Sequence, residues 1–543
     1  KVLLTLVRDR LDDEGGGRDL LLEDTVLEQL TEFQKDAVER GIQIIREHGG
    51  VFIADVVGLG KSYIGAAIAR HFRRAEGRRI LIICPAPLVD MWEEYAHQFD
   101  LNARVLSTGQ LRGAVGILED PRYAECDFIL LDESHHFRYP NTQQYEELEA
   151  FIHKRRPLLC MLTATPQNKS PWDVYYQLRL FQGEQEISLP ILPADLRAYF
   201  RQVENGQKSL PALLKMVLVR RTRRHILRWY GIADDTGQRL RDLDDAQAAP
   251  YLRGERHAFV MVSGRRQGFP RRRLSTLSYN IDATYAGFYD RLRALINGDQ
   301  DVDGHAMTYA RFGLGLYLKE SFQKKKVYED LRRGGRNMRG LIRILLFKRL
   351  ESSVQAFRES VHRMLEANRQ FLEGLDRGVV LAREAGLDVR QFYEMDTAGE
   401  LDWENLREKS PYKIEAFDLP RLREDVASDI AVLEEIHRMV DPIIPARDAK
   451  LHCFLEGMRN NFLKTSGKVL VFTQFADTAT YLFNALNSDG HRPDVAMVTG
   501  QSANQARIAA RFAPKANAKT ALARDQEINI LVATDVMSEG LNL

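Results

Sequence analysis

The chain has 543 residues, 44% of them hydrophobic and 28% charged, with 77 Lys and Arg against 76 Asp and Glu. That length allows two to four domains with cores of their own, and a net charge of +1 excludes attraction of a polyanion by overall charge, so any nucleic-acid surface must be local. No apolar run reaches the ~18 residues of a membrane span, residues 2–7 are too short for a secretory core, and Cys84, Cys126, Cys160 and Cys453 lack metal or disulfide spacing. A protein of the reducing cytoplasm without a membrane partner is expected. Residues 1–25 read as an N-terminal segment carrying an acidic glycine-rich linker (DDEGGG, 12–17). A helix opens at residues 30–37, where Thr31 and Gln34 fit a capping box. Gln34 has two readings: the cap alone, or an adenine contact in which its amide matches the donor and acceptor of the base edge.

Residues 51–54 (VFIA) predict a buried strand and residues 63–69 a helix, joined by Asp55-Val56-Val57-Gly58-Leu59-Gly60-Lys61-Ser62. Strand, glycine loop, Lys-Ser and helix form the context of a phosphate-binding loop. Its glycines turn backbone N–H groups toward one centre, and the helix N-terminus adds partial positive charge. Asp55, Val57, Gly58, Leu59, Gly60, Lys61 and Ser62 are therefore the candidate ATP-binding residues. Lys61 would reach the β- and γ-phosphates and Ser62 would ligate Mg²⁺. Further strands are predicted at 80–84, 128–131 and 158–162, with a helix over 89–99. Polar residues follow the last two strands: Asp132-Glu133-Ser134-His135 and Thr163-Ala164-Thr165-Pro166. Alternating strands and helices with polar strand ends predict a parallel α/β sheet. At such a strand end Asp132 can hold Mg²⁺ and Glu133 can polarise the attacking water. His135 is read as a sensor of the nucleotide. His136, as its sequence neighbour, is expected to point away, which argues against a shared metal.

Residues 305–350 hold twelve Lys or Arg against three acids, so 12 − 3 gives +9. One-signed clusters favour phosphate neutralisation, and Lys324, Lys325, Lys326, Arg332 and Arg333 are its candidate nucleic-acid contacts. The other reading is a solvated helical face. Residues 394–430 are net acidic and punctuated by proline. Helical periodicity over 345–372 and 430–439 suggests protruding helices. Residues 469–472 and 528–532 predict strands of a second parallel sheet, with Thr473 and Thr534 at their ends.

DVVGLGKS, LLDESHHFR and LTATPQN resemble motifs I, II and III of superfamily-two helicases and translocases, the second as a DEAH-type box. Asp55 matches the Swi/Snf-type branch, in which Glu stands where this chain has Val56. VRRTRRHI (219–226) resembles the segment following motif III in that branch. FKRLESSVQAF (347–357) resembles the bacterial HepA/RapA-like subgroup, and residues 468–482 and 528–543 resemble motifs IV and V. The resemblance implies two RecA-like parallel-sheet lobes with a largely helical central insertion: lobe one over 26–230, the insertion over 231–445, and lobe two over 446–543. It implies ATP and Mg²⁺ bound between the lobes and backbone contacts to a tracked strand from Thr473 and Thr534. Asp535 and Gly540 would lie at the cleft, and Thr163 and Thr165 would couple the nucleotide to the nucleic acid. The implied activity is ATP-dependent translocation on double-stranded DNA, as the motor of a bacterial processing or defence complex with protein partners, a nuclease among them. The alternatives are a strand-separating DNA or RNA helicase and an ATP-gated scaffold that does not travel. The family's motif VI arginines lie beyond motif V, whereas this sequence stops at Leu543. Residues 1–543 alone are therefore expected to bind Mg-ATP and hydrolyse it poorly.

Overall fold

The computed structural model describes residues 30–534 apart from 57, 113–115, 118, 184–186, 263, 271–272, 286, 299–306, 324, 381–411, 489, 503 and 516–525. Val57, Lys324, Asp535 and Gly540 therefore lie outside the described residues, as do the side chains of Lys326, Arg332 and Arg333. The chain divides into two compact units, Lys1–Arg273 and Leu274–Leu543.

The first unit is built on six strands: β1 (Gly50–Ile53), β2 (Ile80–Cys84), β3 (Arg104–Ser107), β4 (Phe128–Leu131), β5 (Leu158–Leu162) and β6 (Leu218–Val219). They pair in parallel in the order β3-β2-β4-β5-β1-β6. This is the expected α/β lobe with a RecA-like parallel sheet. The apolar runs are continuous because both faces of the sheet are covered. Side chains alternate between two cores: Phe52, Leu81, Ile83, Ile129, Leu131 and Met161 enter one, and Ile53, Ile82, Leu130, Cys160 and Leu162 the other. Each such side chain contributes about 1.5–3 kcal/mol by burial, so the strand ends are firmly fixed. Helices α1 (Glu32–His48), α2 (Lys61–Glu76) and α3 (Val89–Gln98) flank the second core, and α4 (Gln143–Arg155) and α5 (Trp172–Arg179) the first.

Helix α6 (Arg223–Tyr230) follows β6 and leads to a small antiparallel sheet of β7 (Ile232–Ala233), β8 (Ala258–Val262) and β9 (Arg265–Gly268). Val260, with Val262 and Phe269, packs on Phe33, Leu59 and Ile226. Val260, Val262 and Phe269, in a stretch expected to belong to the insertion, thus pack against Leu59 of the glycine loop.

In the second unit, helices α7 (Glu329–Ser352), α8 (Val354–Asp376) and α9 (Leu419–Val440) share a core. Val354, Phe357, Val361 and Met364 on α8 meet Val432, Leu433, Ile436 and Val440 on α9, the spacing of one helical face. The helix expected across 345–372 is broken at Ser353. That residue is extended (φ −161°, ψ 154°) and caps α8 by accepting from the Ala356 N–H at 3.1 Å. A three-stranded parallel sheet completes the unit. Its strands β10 (Val469–Phe472), β11 (Val495–Val498) and β12 (Ile530–Ala533) run in the order β10-β12-β11. Cys84, Cys126 and Cys160 are free and buried, as expected of small core residues.

Candidate functional site

The glycine loop leaves the C-terminal end of β1 and enters α2. Gly58 (φ +88°) and Gly60 (φ +77°) occupy backbone space that other residues avoid. A Cβ on Gly60 would also collide with the Gln34 side-chain nitrogen. Lys61 and Ser62 open α2, and Lys61 Nζ rests on the Asp55 carbonyl at 3.1 Å. Gln34 completes the capping box: its Oε1 accepts from Thr31 N and Oγ1, both at 3.0 Å, while its Nε2 donates to the Leu59 carbonyl at 3.2 Å. One residue thus binds the start of α1 to the loop.

The Asp55 carboxylate is directed elsewhere. It is fully buried and accepts from the Arg221 backbone N–H at 2.7 Å, from Arg221 Nε at 3.2 Å and from Arg221 Nη2. Arg221 also donates to the Phe33 carbonyl, and its guanidinium lies 5.6 Å from the Phe33 ring centre. Asp55 is therefore a clamp between the loop and the segment entering α6. Its carboxylate oxygens are engaged by Arg221, so Asp55 has a structural role beside the nucleotide contact expected from the sequence. The local sequence hides this: the partner lies 166 residues away.

Asp132 and Glu133 leave the end of β4. Asp132 is buried, accepts from Trp92 Nε1 at 2.8 Å and from the Glu133 N–H at 2.9 Å. Burial above all pushes its carboxyl up to about 6; Glu133 adds to the rise, while the Trp92 bond and the Lys61 charge oppose it. Lys61 and Asp132 thus follow strands at the same end of the sheet, with β5 between them. Glu133 adopts a left-handed conformation (φ 48°, ψ 51°), costly for a residue with a Cβ. The tight turn that follows stacks the His135 and His136 rings 4.6 Å apart, where divergent side chains were expected. His135 Nδ1 lies 3.1 Å from Glu133 Oε2 and 3.5 Å from Thr163 Oγ1. Thr163 is buried and accepts from the Thr165 N–H at 3.2 Å, and Thr165 itself is exposed. The structure thus brings Glu133, His135, Thr163 and Thr165 together.

Among the described residues, no three His, Cys, Asp or Glu form a metal cluster. A magnesium site does not need one. Mg²⁺ takes one or two carboxylates and completes its shell with water and substrate phosphates. The hard oxygen donors here, the Ser62 hydroxyl and the Asp132 carboxyl, fit that pattern, and a buried carboxyl with a raised pKa is what a cation would offset.

In the second unit, Thr473 and Thr534 follow neighbouring strands. The Thr473 N–H donates to the Ala533 carbonyl and the Thr534 N–H to the Val498 carbonyl, both at 3.0 Å. The Thr473 hydroxyl is 3.5 Å from that of Ser352. FKRLESS acquires a structural meaning at this place. Arg349 and Arg363 both pair with Asp477, Arg349 lies 4.3 Å from the Phe475 ring centre, and Ser352 and Ser353 meet the Thr478 hydroxyl at 2.7 and 2.8 Å. The stretch fastens the helices to α10 (Ala476–Leu486), which follows β10. The basic cluster is accordingly divided. Arg349 is interior and Arg343 packs 5.8 Å from the Tyr309 ring centre, whereas Lys319, Lys325 and Lys348 are exposed.

No family model matches the chain. It is similar to a Caenorhabditis elegans homolog of SWI/SNF-related matrix-associated actin-dependent regulator of chromatin subfamily A-like protein 1, with 21% identity over 238 residues. That match covers 38% of this chain and 33% of the relative, so the chain spans about a third of the relative's length. Among solved structures it is similar to the Sulfolobus solfataricus SWI2/SNF2 ATPase core in complex with dsDNA. The identity is 12%, the coverage 93% of this chain and 78% of that one, and the TM-score 0.31. It is also similar to the Pyrococcus furiosus Hef helicase domain, at 15% identity, 95% and 88% coverage and a TM-score of 0.30.

Proposed function

We propose that the chain is a Swi/Snf-type ATPase, close to the bacterial HepA/RapA-like subgroup, that uses ATP and Mg²⁺ to move along or remodel double-stranded DNA. The observation that supports it most is that the Lys61-Ser62 helix start after β1 and the buried Asp132, with Glu133, after β4 lie at the same end of one parallel sheet. A lysine, a hydroxyl at a helix start and two carboxylates at the end of another strand of the same sheet are the parts that phosphoryl transfer to water requires. In this reading Lys61 neutralises the β- and γ-phosphates, Ser62 and Asp132 hold the metal, and Glu133 orients the attacking water. Gln34, Gly58, Leu59 and Gly60 shape the loop, while His135, Thr163 and Thr165 relay its state. Thr473, Thr534 and the exposed lysines of the basic segment are the proposed nucleic-acid contacts, and Asp535 and Gly540 the proposed residues near the nucleotide in the second lobe. Duplex DNA is the substrate to test first, ahead of RNA, as the sequence resemblance implies. A protein assembly, with a nuclease among its members, is the proposed setting.

The test is ATP turnover measured with no nucleic acid, duplex DNA, single strands and RNA, together with displacement of a third strand from a triplex. Duplex-stimulated turnover, slow in residues 1–543 alone, with displacement far from the loading point is expected. Unwinding of short forks without a long duplex would replace this reading by a strand-separating helicase. Nucleotide binding without stimulated turnover or travel would replace it by a gated scaffold.

A further inference from the structure

Gln177 belongs to none of the sequence motifs, yet it joins two of them. It lies on α5, fully buried, and its three hydrogen bonds reach three segments. Its Oε1 accepts from Ser134 Oγ at 3.1 Å, between Glu133 and His135. Its Nε2 donates to the Pro166 carbonyl at 2.8 Å, next to Thr165, and to the Asp173 carbonyl one turn back on its own helix at 2.8 Å. Ser134 is itself fully buried. The loop after Pro166 is pinned to the same helix, because Asp173 Oδ2 accepts the backbone N–H groups of Asn168, Lys169 and Ser170 at 2.9, 2.7 and 3.3 Å.

Two ties therefore run between the Glu133–His135 turn and the Thr163–Pro166 loop. One is the His135–Thr163 contact at 3.5 Å, the weak end of hydrogen-bond geometry. The other is the Gln177 bridge, shorter, buried and complete at both ends of its amide. An amide shifted at one end cannot keep its bonds at the other, so displacement of Pro166 must pull on Ser134 or leave buried polar groups unpaired.

We infer that Gln177 is a positioning residue that transmits movement of the Thr163–Pro166 loop to Glu133, coupling nucleic-acid binding to ATP hydrolysis. This rests on the function proposed above. Gln177 touches neither nucleotide nor water in this scheme and acts through Ser134.

The experiment compares the full chain with Gln177→Leu and Ser134→Ala, measuring turnover with and without duplex DNA, KM for ATP, and affinity for a fluorescent ATP analogue. In both variants the stimulation factor should fall, at least fivefold for Gln177→Leu and about threefold for Ser134→Ala. KM and nucleotide affinity should stay within twofold. The double variant should lose no more than Gln177→Leu alone, because both changes cut one bridge. If Gln177→Leu does not fold, Ser134→Ala decides the matter, since it leaves the Pro166 and Asp173 bonds intact. A stimulation factor that survives, or that drops only in proportion to basal turnover and Tm, overturns the inference and leaves the proposed function standing. A wild-type chain that DNA does not stimulate overturns both.

Discussion

Replacing Asp55 by Ala separates two roles that one carboxylate could have. The structure gives it four contacts with Arg221, one to the backbone N–H and three to the guanidinium group, at a site where Asp55 is 0% and Arg221 8% exposed. Asp55→Ala leaves a buried guanidinium whose remaining hydrogen-bond and ring partner, among the described residues, is Phe33. Removing one member of a buried pair costs roughly 3–5 kcal/mol, mostly as the penalty of the stranded charge. Unfolding in urea followed by tryptophan fluorescence reads this out. Trp92, Trp172 and Trp229 lie in the first unit and only Trp403 in the second, so the signal reports mainly on the unit that is perturbed. At ~2 kcal/mol per M urea, the first transition should move down by about 2 M. The double variant Asp55→Leu with Arg221→Met should recover most of that loss, because an apolar pair strands no charge. Its nucleotide affinity should recover with it. The reasoning fails if Asp55→Ala unfolds within ~1 kcal/mol of wild type but binds ATP much more weakly, for then the carboxylate acts on the nucleotide.

Lys61→Ala should abolish measurable turnover and weaken binding of an ATP analogue, whereas Glu133→Gln should keep binding and lose about 10²–10⁴ in rate; equal losses of binding in both would separate neither role. Gly60→Ala forces a Cβ into left-handed backbone and against the Gln34 amide, so it should destabilise the first unit by roughly 1–2 kcal/mol and weaken ATP binding; an unchanged melting curve would deny that the loop is held in this shape. His225 is buried beside Arg221 and Asp55, and burial first, then the Arg221 charge, lowers its pKa from 6.5 to about 4 against the pull of Asp55. Between pH 6.5 and 4 the unfolded chain takes up a proton that the folded chain refuses, so stability falls as pH drops through that window, by up to roughly 3 kcal/mol. His225→Phe should flatten this part of the stability curve, and an identical slope in both proteins would rule the histidine out.

What the sequence made legible follows from how each feature is encoded. Strands β1, β2, β4 and β5 are buried on both faces and so appear as unbroken apolar runs with polar ends. Strand β3 escapes that pattern: it is an edge strand, Arg104-Val105-Leu106-Ser107, with Leu106 alone fully buried. Strand β6 has two residues, and its place beside β1 is set by pairing across the sheet. The glycine loop and the Asp-Glu pair were readable because their geometry is local. Asp55, Arg221 and Gln177 were not, because each acts through partners far away in sequence. Charge counting misled differently in the 305–350 segment. A tally of +9 cannot distinguish Lys325, exposed over the Phe322 ring at 4.1 Å, from Arg349, committed to Asp477.

Gln34 shows how the structure narrows a reading that the sequence left open. Its Oε1 has two lone pairs, and both are taken by Thr31 N and Oγ1. One N–H of its amide is taken by the Leu59 carbonyl, and the other has no partner among the described residues. With the cap intact, Gln34 can donate to an acceptor on the adenine edge but cannot also accept from the exocyclic amine. Bidentate recognition of the base would require releasing Thr31, and with it the capping box that starts α1, at a cost of about 0.5–2 kcal/mol. The same side chain cannot both hold the loop in this way and read the whole base edge. Gln34 is thus a structural link between α1 and the loop, whose single spare donor suffices to favour a purine acceptor and leaves discrimination at the amine to other groups.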